Sequence, residues 1–352
     1  MPDVMVIAAH DSHAPGSGVD VQCTGENDSL RIQAAIDACQ AMPYPPRLEP
    51  LAGTYLLKEP LWIGYNFQDF KGNPYEPRLD PDSPGCRAFA PNFTNPSGRA
   101  TFEWVGPPTD DYMISYAPKA GAAAGLATRF IENLLLFGNN KARGLFIGSA
   151  CYGFRLERAI AYCTRGVGID IIDSWGMEAR NCLVIDATGY AVRINGGGGG
   201  TCLDLAVQGC KAGDWPTDRP EIPHAMVALI ASGNAFIGTQ LEDNNKPGYD
   251  EVPLLWLNAT GTGLHHVRIE KCQSLHPIVV EKSQACIIEG VSAVMSPDLP
   301  EHLIEFRGSD HCKVGQVAVG RIWKDGVGWI KSVTGSIVSG AKGNAVSGVV
   351  FT

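Results

Sequence analysis

Apolar residues recur at helical spacing early in the chain, at Ile32, Ala35, Ile36 and Cys39, which predicts an amphipathic helix there. Asp28 stands where a helix start needs an acceptor for a backbone N–H. Pro43, Pro45 and Pro46 end the pattern, because proline has no N–H to continue the ladder. Beyond them the pattern becomes strand-like, and residues 47–51 and 54–57 predict two short strands around the turn Ala52-Gly53. A helix feeding straight into short strands suggests a plug over the open end of something long and built of strands.

From residue 130 onward the pattern repeats. Similar runs at 131–137, 156–162 and 179–185 follow one another at steps of 25 and 23 residues. In each unit a second run follows a glycine, namely Gly144, Gly166 and Gly189, at steps of 22 and 23. Looser copies lie at 237–241, 267–272, 287–294 and 314–319, and Gly- and Ser-punctuated strands at 336–351 close the chain. Residues 154–162 alternate apolar with polar, as a half-buried strand does. Two or three short β runs per unit, with no helical period inside it, is a solenoid signature. A leucine-rich repeat competes at this period, but its fixed Leu and Asn positions are absent. The prediction is therefore all-β: a right-handed single-stranded parallel β-helix with an N-terminal capping helix and long inserted loops. Unpaired backbone at the end of such a stack needs a cover, and the early helix supplies it.

The predicted organisation has four parts. Residues 1–25 form an N-terminal segment, and 26–64 hold the capping helix and first strands. Residues 65–129 are irregular, loop-rich early coils, and 130–352 are regular coils with terminal strands. Insertions interrupt the coils at 65–112, which is rich in Pro, Asn, Asp and aromatics, and at 214–223 and 243–253. The five-glycine run 196–200 lacks the strand, lysine and helix context of a phosphate loop.

Composition narrows the function. With 28 basic against 37 acidic residues the formal charge is −9, which argues against nucleic acid as a partner. The apolar run 4–9 is short and not preceded by Lys or Arg, so it predicts neither a signal peptide nor membrane insertion. Eleven singly spaced cysteines form no CxxC or Cys/His zinc spacing and predict buried thiols of a reducing compartment. His10, Asp11 and His13 sit in a Gly/Pro/Ser-rich loop poorly suited to holding a metal, so none is assigned.

Residues 25–38, GENDSLRIQAAIDA, followed by 51–57, LAGTYLL, resemble the opening segment of the pectate-lyase-like β-helix superfamily. In that superfamily a Gly/Asp-rich turn precedes an IQxAIDxA helix and a PxGxY strand pair, and bacteriophage tailspikes share it. Leu51 stands where these proteins often have proline. The resemblance implies the fold and an extended polysaccharide ligand. It implies no particular reaction, because the Asp and His signatures of polygalacturonases, mannuronan epimerases and pectate lyases are not found.

Candidate chemistry comes from the inserted loops. Hydrolysis of a glycan needs two carboxylates, and a lyase needs a base plus a cation such as Ca²⁺ for the uronate carboxylate. Glu242 and Asp243, opposed by Asp214, are the candidate catalytic residues. Trp215, Tyr249, Asp218, Glu221 and Asp250 are candidate substrate contacts, the two aromatics by stacking on sugar rings. No cofactor is assigned, with Ca²⁺ reserved for the lyase case.

The expected function is that of a phage-like spike or fibre that binds, and in one version depolymerises, cell-surface polysaccharide. The resemblance further implies a homotrimer on a virion or phage-like particle, partnered by an adaptor or other virion proteins. Such a protein is made in the bacterial cytoplasm without a signal peptide. The alternatives are a stand-alone extracellular polysaccharide lyase or glycoside hydrolase, and a purely structural or adhesive β-helix.

Overall fold

The computed structural model describes residues 4–12, 18–40, 47–63, 98–116, 130–148, 154–172, 174–245, 251–294, 302–319, 338–339 and 345–351. Contacts divide the chain into two units, residues 1–165 with 170–178, and 166–169 with 179–352. Every strand pairing observed is parallel, and the fold is a right-handed parallel β-helix. Among the described residues no helix is long and apolar enough to cross a membrane.

The first unit opens with a three-stranded sheet in the order Val21–Gln22, Val4–Ala8, Arg47–Pro50. The helix runs from Ser29 to Gln40 and buries Ile32, Ala35, Ile36 and Cys39, the face expected from their spacing. The two strands after it do not pair with each other. Arg47–Pro50 joins Val4–Ala8, whereas Gly53–Leu57 pairs with Ala100–Trp104 and begins the coils. The helix covers that first coil through polar side chains. The buried Asp28 carboxylate accepts from the N–H groups of Thr24, Gly25 and Leu56 at 2.9, 3.0 and 2.9 Å. Ser29 Oγ accepts from Lys58 and Glu59, and the Gln33 amide both accepts from Trp62 N–H and donates to its carbonyl. Backbone groups on this edge of the coil are thus satisfied by side chains. Further coils of this unit are built from Ala100–Trp104 with Tyr112–Tyr116, and from Phe130–Glu132 and Leu134–Phe137 with Arg143–Gly148.

In the second unit the earlier coils have two three-residue strands and one longer strand, and from Ile287–Val294 onward the two short strands merge into one. The long strands Thr188–Gly198, Val227–Ser232, Leu255–Thr260, Ile278–Glu281 and Ile304–Arg307 stack in register. Val227, Leu255, Ile278 and Ile304 form one buried row of the core. The step between equivalent residues of the second short strand is 23 from Leu183 to Ala206, 34 from Ala206 to Gln240 and 28 from Gln240 to Arg268. The excess in the two longer steps holds the insertions near 214–223 and 243–253.

Corners are made by one left-handed residue followed by one small buried side chain. Asn181-Cys182, Gly233-Asn234, Asp243-Asn244, Lys271-Cys272, Ala285-Cys286 and Gly308-Ser309 all follow this rule. The buried member stitches successive coils. Asn244 accepts from Cys210 N–H at 3.0 Å and donates to Val207 C=O at 2.9 Å. Ser309 accepts from Ser283 N–H and donates to Val280 C=O. Cys272 and Cys286 thiols lie 3.3 Å from the carbonyls of Leu241 and Ala259. None of the nine described cysteines is in a disulfide, and eight are buried. Cys86 and Cys151 lie outside the described residues.

Candidate functional site

Along a strand successive side chains alternate between the core and the outer face. In the second unit, Val192 and Ile194 point into the core, so Arg193 and Asn195 point out. Register carries this outer row through Ala228, Trp256, Val279 and Glu305 on successive coils. Two residues on, Glu281 pairs with Arg307 in a second outer row. The outer face of the long-strand sheet therefore intersperses Arg193, Trp256 and Glu305 with the apolar Ala228 and Val279, although they lie far apart in sequence.

The insertion after Gly209 packs on this face. Asp218 meets Arg193 in a two-pronged ion pair at 3.1 and 3.2 Å, with Arg193 fully buried and Asp218 39% exposed. Arg193 also lies over the Tyr190 ring, 5.3 Å from its centre. The Tyr190 hydroxyl donates to Ile222 C=O at 2.8 Å, and its ring meets Trp215 edge-on at 4.8 Å. Trp215 in turn stacks flat on His224, with ring centres 4.5 Å apart and planes within 5°. Burial pushes the His224 imidazole below its ordinary range, which favours the neutral ring at neutral pH. Asp214 accepts from the Thr188 hydroxyl at 2.9 Å. Its carbonyl lies so close to Gly189 that a Cβ there would approach it to 2.9 Å, so a side chain at 189 would push the insertion away.

A second group surrounds Trp256. Its indole N–H donates to Glu281 at 2.9 Å. His276, from the segment before Ile278–Glu281, is hydrogen bonded through Nδ1 to Glu305 and through Nε2 to Glu251, the latter at 3.3 Å. Arg307 donates to Glu305 at 2.8 Å and stands 3.4 Å from His276 Nδ1. Burial alone would raise the Glu305 carboxyl, but the hydrogen bonds and charges of His276 and Arg307 outweigh it and hold the group below the usual range. Glu305 is thus a fixed carboxylate, while Glu251 is open to solvent.

Of the sequence-predicted residues, Asp214, Trp215, Asp218 and Glu221 share one insertion. Asp214, Trp215 and Asp218 anchor it to the strand Thr188–Gly198, and Glu221 is exposed. Glu242 belongs to a different surface: it is outward on the short strand Gln240–Glu242, between Gln208 and Glu270. Asp243 is the left-handed residue of the next corner, the place held by Gly209 one coil earlier and Lys271 one coil later. No hydrogen bond brings Asp214 to either of them; its carboxylate is taken by Thr188. Tyr249 and Asp250 lie outside the described residues. Sequence reasoning missed Arg193, Trp256, His276, Glu281, Glu305 and Arg307. Aligning the β-branched long runs coil under coil brings most of them into view, because Arg193, Trp256 and Glu305 then fall in one column. Among the described residues no group of three or more His, Cys, Asp or Glu is placed to hold a metal ion.

No family model matches the chain, and no curated protein matches it in sequence. Solved structures do match in shape. ORF18 of Geobacillus virus E2 superposes with a TM-score of 0.62 at 12% identity, over 92% of this chain and 58% of that one. Tailspike protein 2 of the Escherichia coli O157:H7 bacteriophage CAB120 gives 0.52 at 9% identity, over 84% of this chain and 41% of that one. This chain therefore spans about half the length of those it resembles. At such identities the likeness is one of fold: the chain carries a right-handed parallel β-helix, as the phage tailspike protein does.

Proposed function

We propose that this protein is a spike or fibre component of a phage or phage-like particle, and that it binds polysaccharide on the surface of a host cell. The long-strand outer face of residues 179–352 is the binding surface. One observation carries the reading: Glu281 and Glu305 stand on adjacent strands of one parallel sheet, whose outer face also carries the loop-borne stack of Trp215 on His224. Carboxylates and a flat ring pair on a sheet that rises about 4.8 Å per coil suit a chain of sugars, whose hydroxyls need acceptors and whose ring faces need flat apolar surfaces. The likeness in fold to a tailspike protein supports placement on a particle, and the proposal adds three copies of the chain and an adaptor.

Depolymerisation is the second reading, favoured by the unequal settings of two carboxylates. Glu305 is held ionised by His276 and Arg307, whereas Glu281 accepts from the neutral Trp256 N–H. Their positions are diagonal on adjacent strands, so their Cα atoms are roughly 8 Å apart. Glu242, Asp243 and Asp214 form the competing set.

Affinity electrophoresis against purified surface polysaccharides tests binding, and assays for reducing ends and for absorbance near ~235 nm test cleavage. Glu281→Gln and His224→Ala are each expected to weaken binding by about tenfold, with the protein still folded by circular dichroism. Unchanged binding in both variants refutes the site. If the Glu242→Gln, Asp243→Asn pair abolishes cleavage while Glu281→Gln does not, the competing set is the catalytic one.

A further inference from the structure

His276 touches charged groups from two other elements. Glu251 comes from the segment that leads directly into Trp256, and Glu305 and Arg307 come from the next long strand, Ile304–Arg307. Their exposures are unequal: the side chains of His276 and Glu305 are 26% and 13% exposed, and that of Glu251 is 82% exposed. The histidine is itself held in place, since its backbone N–H donates to Ser274 Oγ at 3.0 Å. That hydroxyl donates to Val252 C=O at 2.8 Å, one residue from Glu251.

An imidazolium has two N–H donors, and here it faces one carboxylate on each nitrogen. A neutral imidazole has one donor and one lone pair. Arg307 Nη2, 3.4 Å from Nδ1, is the donor that such a lone pair would accept. With Nδ1 turned to Arg307, the remaining proton stays on Nε2 toward Glu251, and Glu305 keeps its Arg307 hydrogen bond. With the proton on Nδ1, Glu305 is satisfied and Glu251 meets a lone pair. Either neutral tautomer therefore loses one carboxylate contact or weakens it to a dipole, whereas the cation serves both.

We infer that His276 is a pH-sensitive clasp that ties the Glu251 segment to the strand Ile304–Arg307 in its protonated state and loosens it in its neutral state. The clasp acts on the chain immediately before Trp256, so its state sets how firmly that edge of the outer face is held. The charged groups in contact with the ring are Glu251, Glu305 and Arg307; Glu281, on the intervening strand, is engaged by Trp256 instead. The inference concerns the fold alone and stands whether or not the face binds a glycan.

Hydrogen exchange of the full-length protein reads the clasp directly, once rates are corrected for the intrinsic effect of pH. Protection of residues 251–257 is expected to rise by about threefold from pH 8 to pH 5.5, the scale of a partly exposed ion pair. The helix Ser29–Gln40 serves as the internal reference and should not change. Glu251→Gln, at an exposed position, should cut the rise at 251–257 to the level of the reference, and His276→Gln should do the same. A wild-type protein with no pH-dependent protection at 251–257 overturns the inference. So does a Glu251→Gln protein that keeps the full rise.

Discussion

The corner residues decide whether one coil can sit on the next. At the corners the side chain after the left-handed residue is turned inward, where space is small and carbonyls of the neighbouring coil await a donor. Cys272 meets that demand with a thiol toward Leu241, and Asn244 with a full amide between Val207 and Cys210. Serine has a donor of similar reach, so Cys272→Ser should change stability by less than about 1 kcal/mol. Asn244→Leu leaves the buried N–H of Cys210 and the carbonyl of Val207 without that partner and should cost about 2–4 kcal/mol. Urea denaturation of the two variants checks both values; equal losses would show that size, not hydrogen bonding, sets the corner. The isolated spacing of the cysteines was enough to predict buried thiols. It was not enough to place them at corners, because the residue that turns the chain has no fixed identity: Asn181, Asp243, Lys271 and Ala285 all do so. Asp243 illustrates the difficulty, since an acidic residue in a loop and one at a turn look the same in sequence.

Among elements, the N-terminal helix shows how a short motif acquires its meaning. Its apolar face was legible from spacing, and its polar residues suggested only a cap. Asp28 starts the helix through its own carbonyl, which accepts from Ile32 N–H, but its carboxylate serves Thr24, Gly25 and Leu56 instead of the first helical turn. The side chain thus joins helix to coil. Asp28→Ala removes three acceptor contacts at a fully buried site and should destabilise the first unit by about 3 kcal/mol or more; Asp28→Asn, which keeps one acceptor oxygen, should recover part of that. Exchange rates at Gly53–Leu57 provide the measurement, and protection there unchanged in Asp28→Ala would show that the helix is held by its apolar face alone. The long strands were equally legible as runs, since 166–171 and 189–194 are β-branched and glycine-bounded. Their outer faces were not, because register between coils depends on how many residues each insertion absorbs. A step of 34 residues between Ala206 and Gln240 hides the column that joins Arg193 to Trp256.

At the scale of the whole molecule, a solenoid that buries every inward side chain still has to dispose of its outward ones. On the short-strand sheet of the first unit, Leu135, Phe137, Ile160 and Tyr162 face outward in register, and the rings of Phe137 and Tyr162 stack at 5.1 Å. The second unit presents Leu183, Ile185, Leu203 and Ile237 in the same manner before its outward rows turn polar at Gln240, Glu242, Arg268 and Glu270. Apolar rows of this kind are half-buried in one chain and find full burial only against another surface. Copies related by a rotation axis along the stack would set like rows against one another, and cyclic association of this sort needs no second type of partner. The proposed trimer therefore makes a physical demand on these rows. Light scattering at micromolar concentration should give about three times the chain mass of 37.6 kDa. Lysines in place of Ile160 and Tyr162, both outward and half-buried, should shift the particle to the single-chain mass while the circular dichroism spectrum stays unchanged. A wild-type protein that is already a single chain would remove the trimer from the proposed function, and with it the gain in avidity that three copies bring to a repetitive surface.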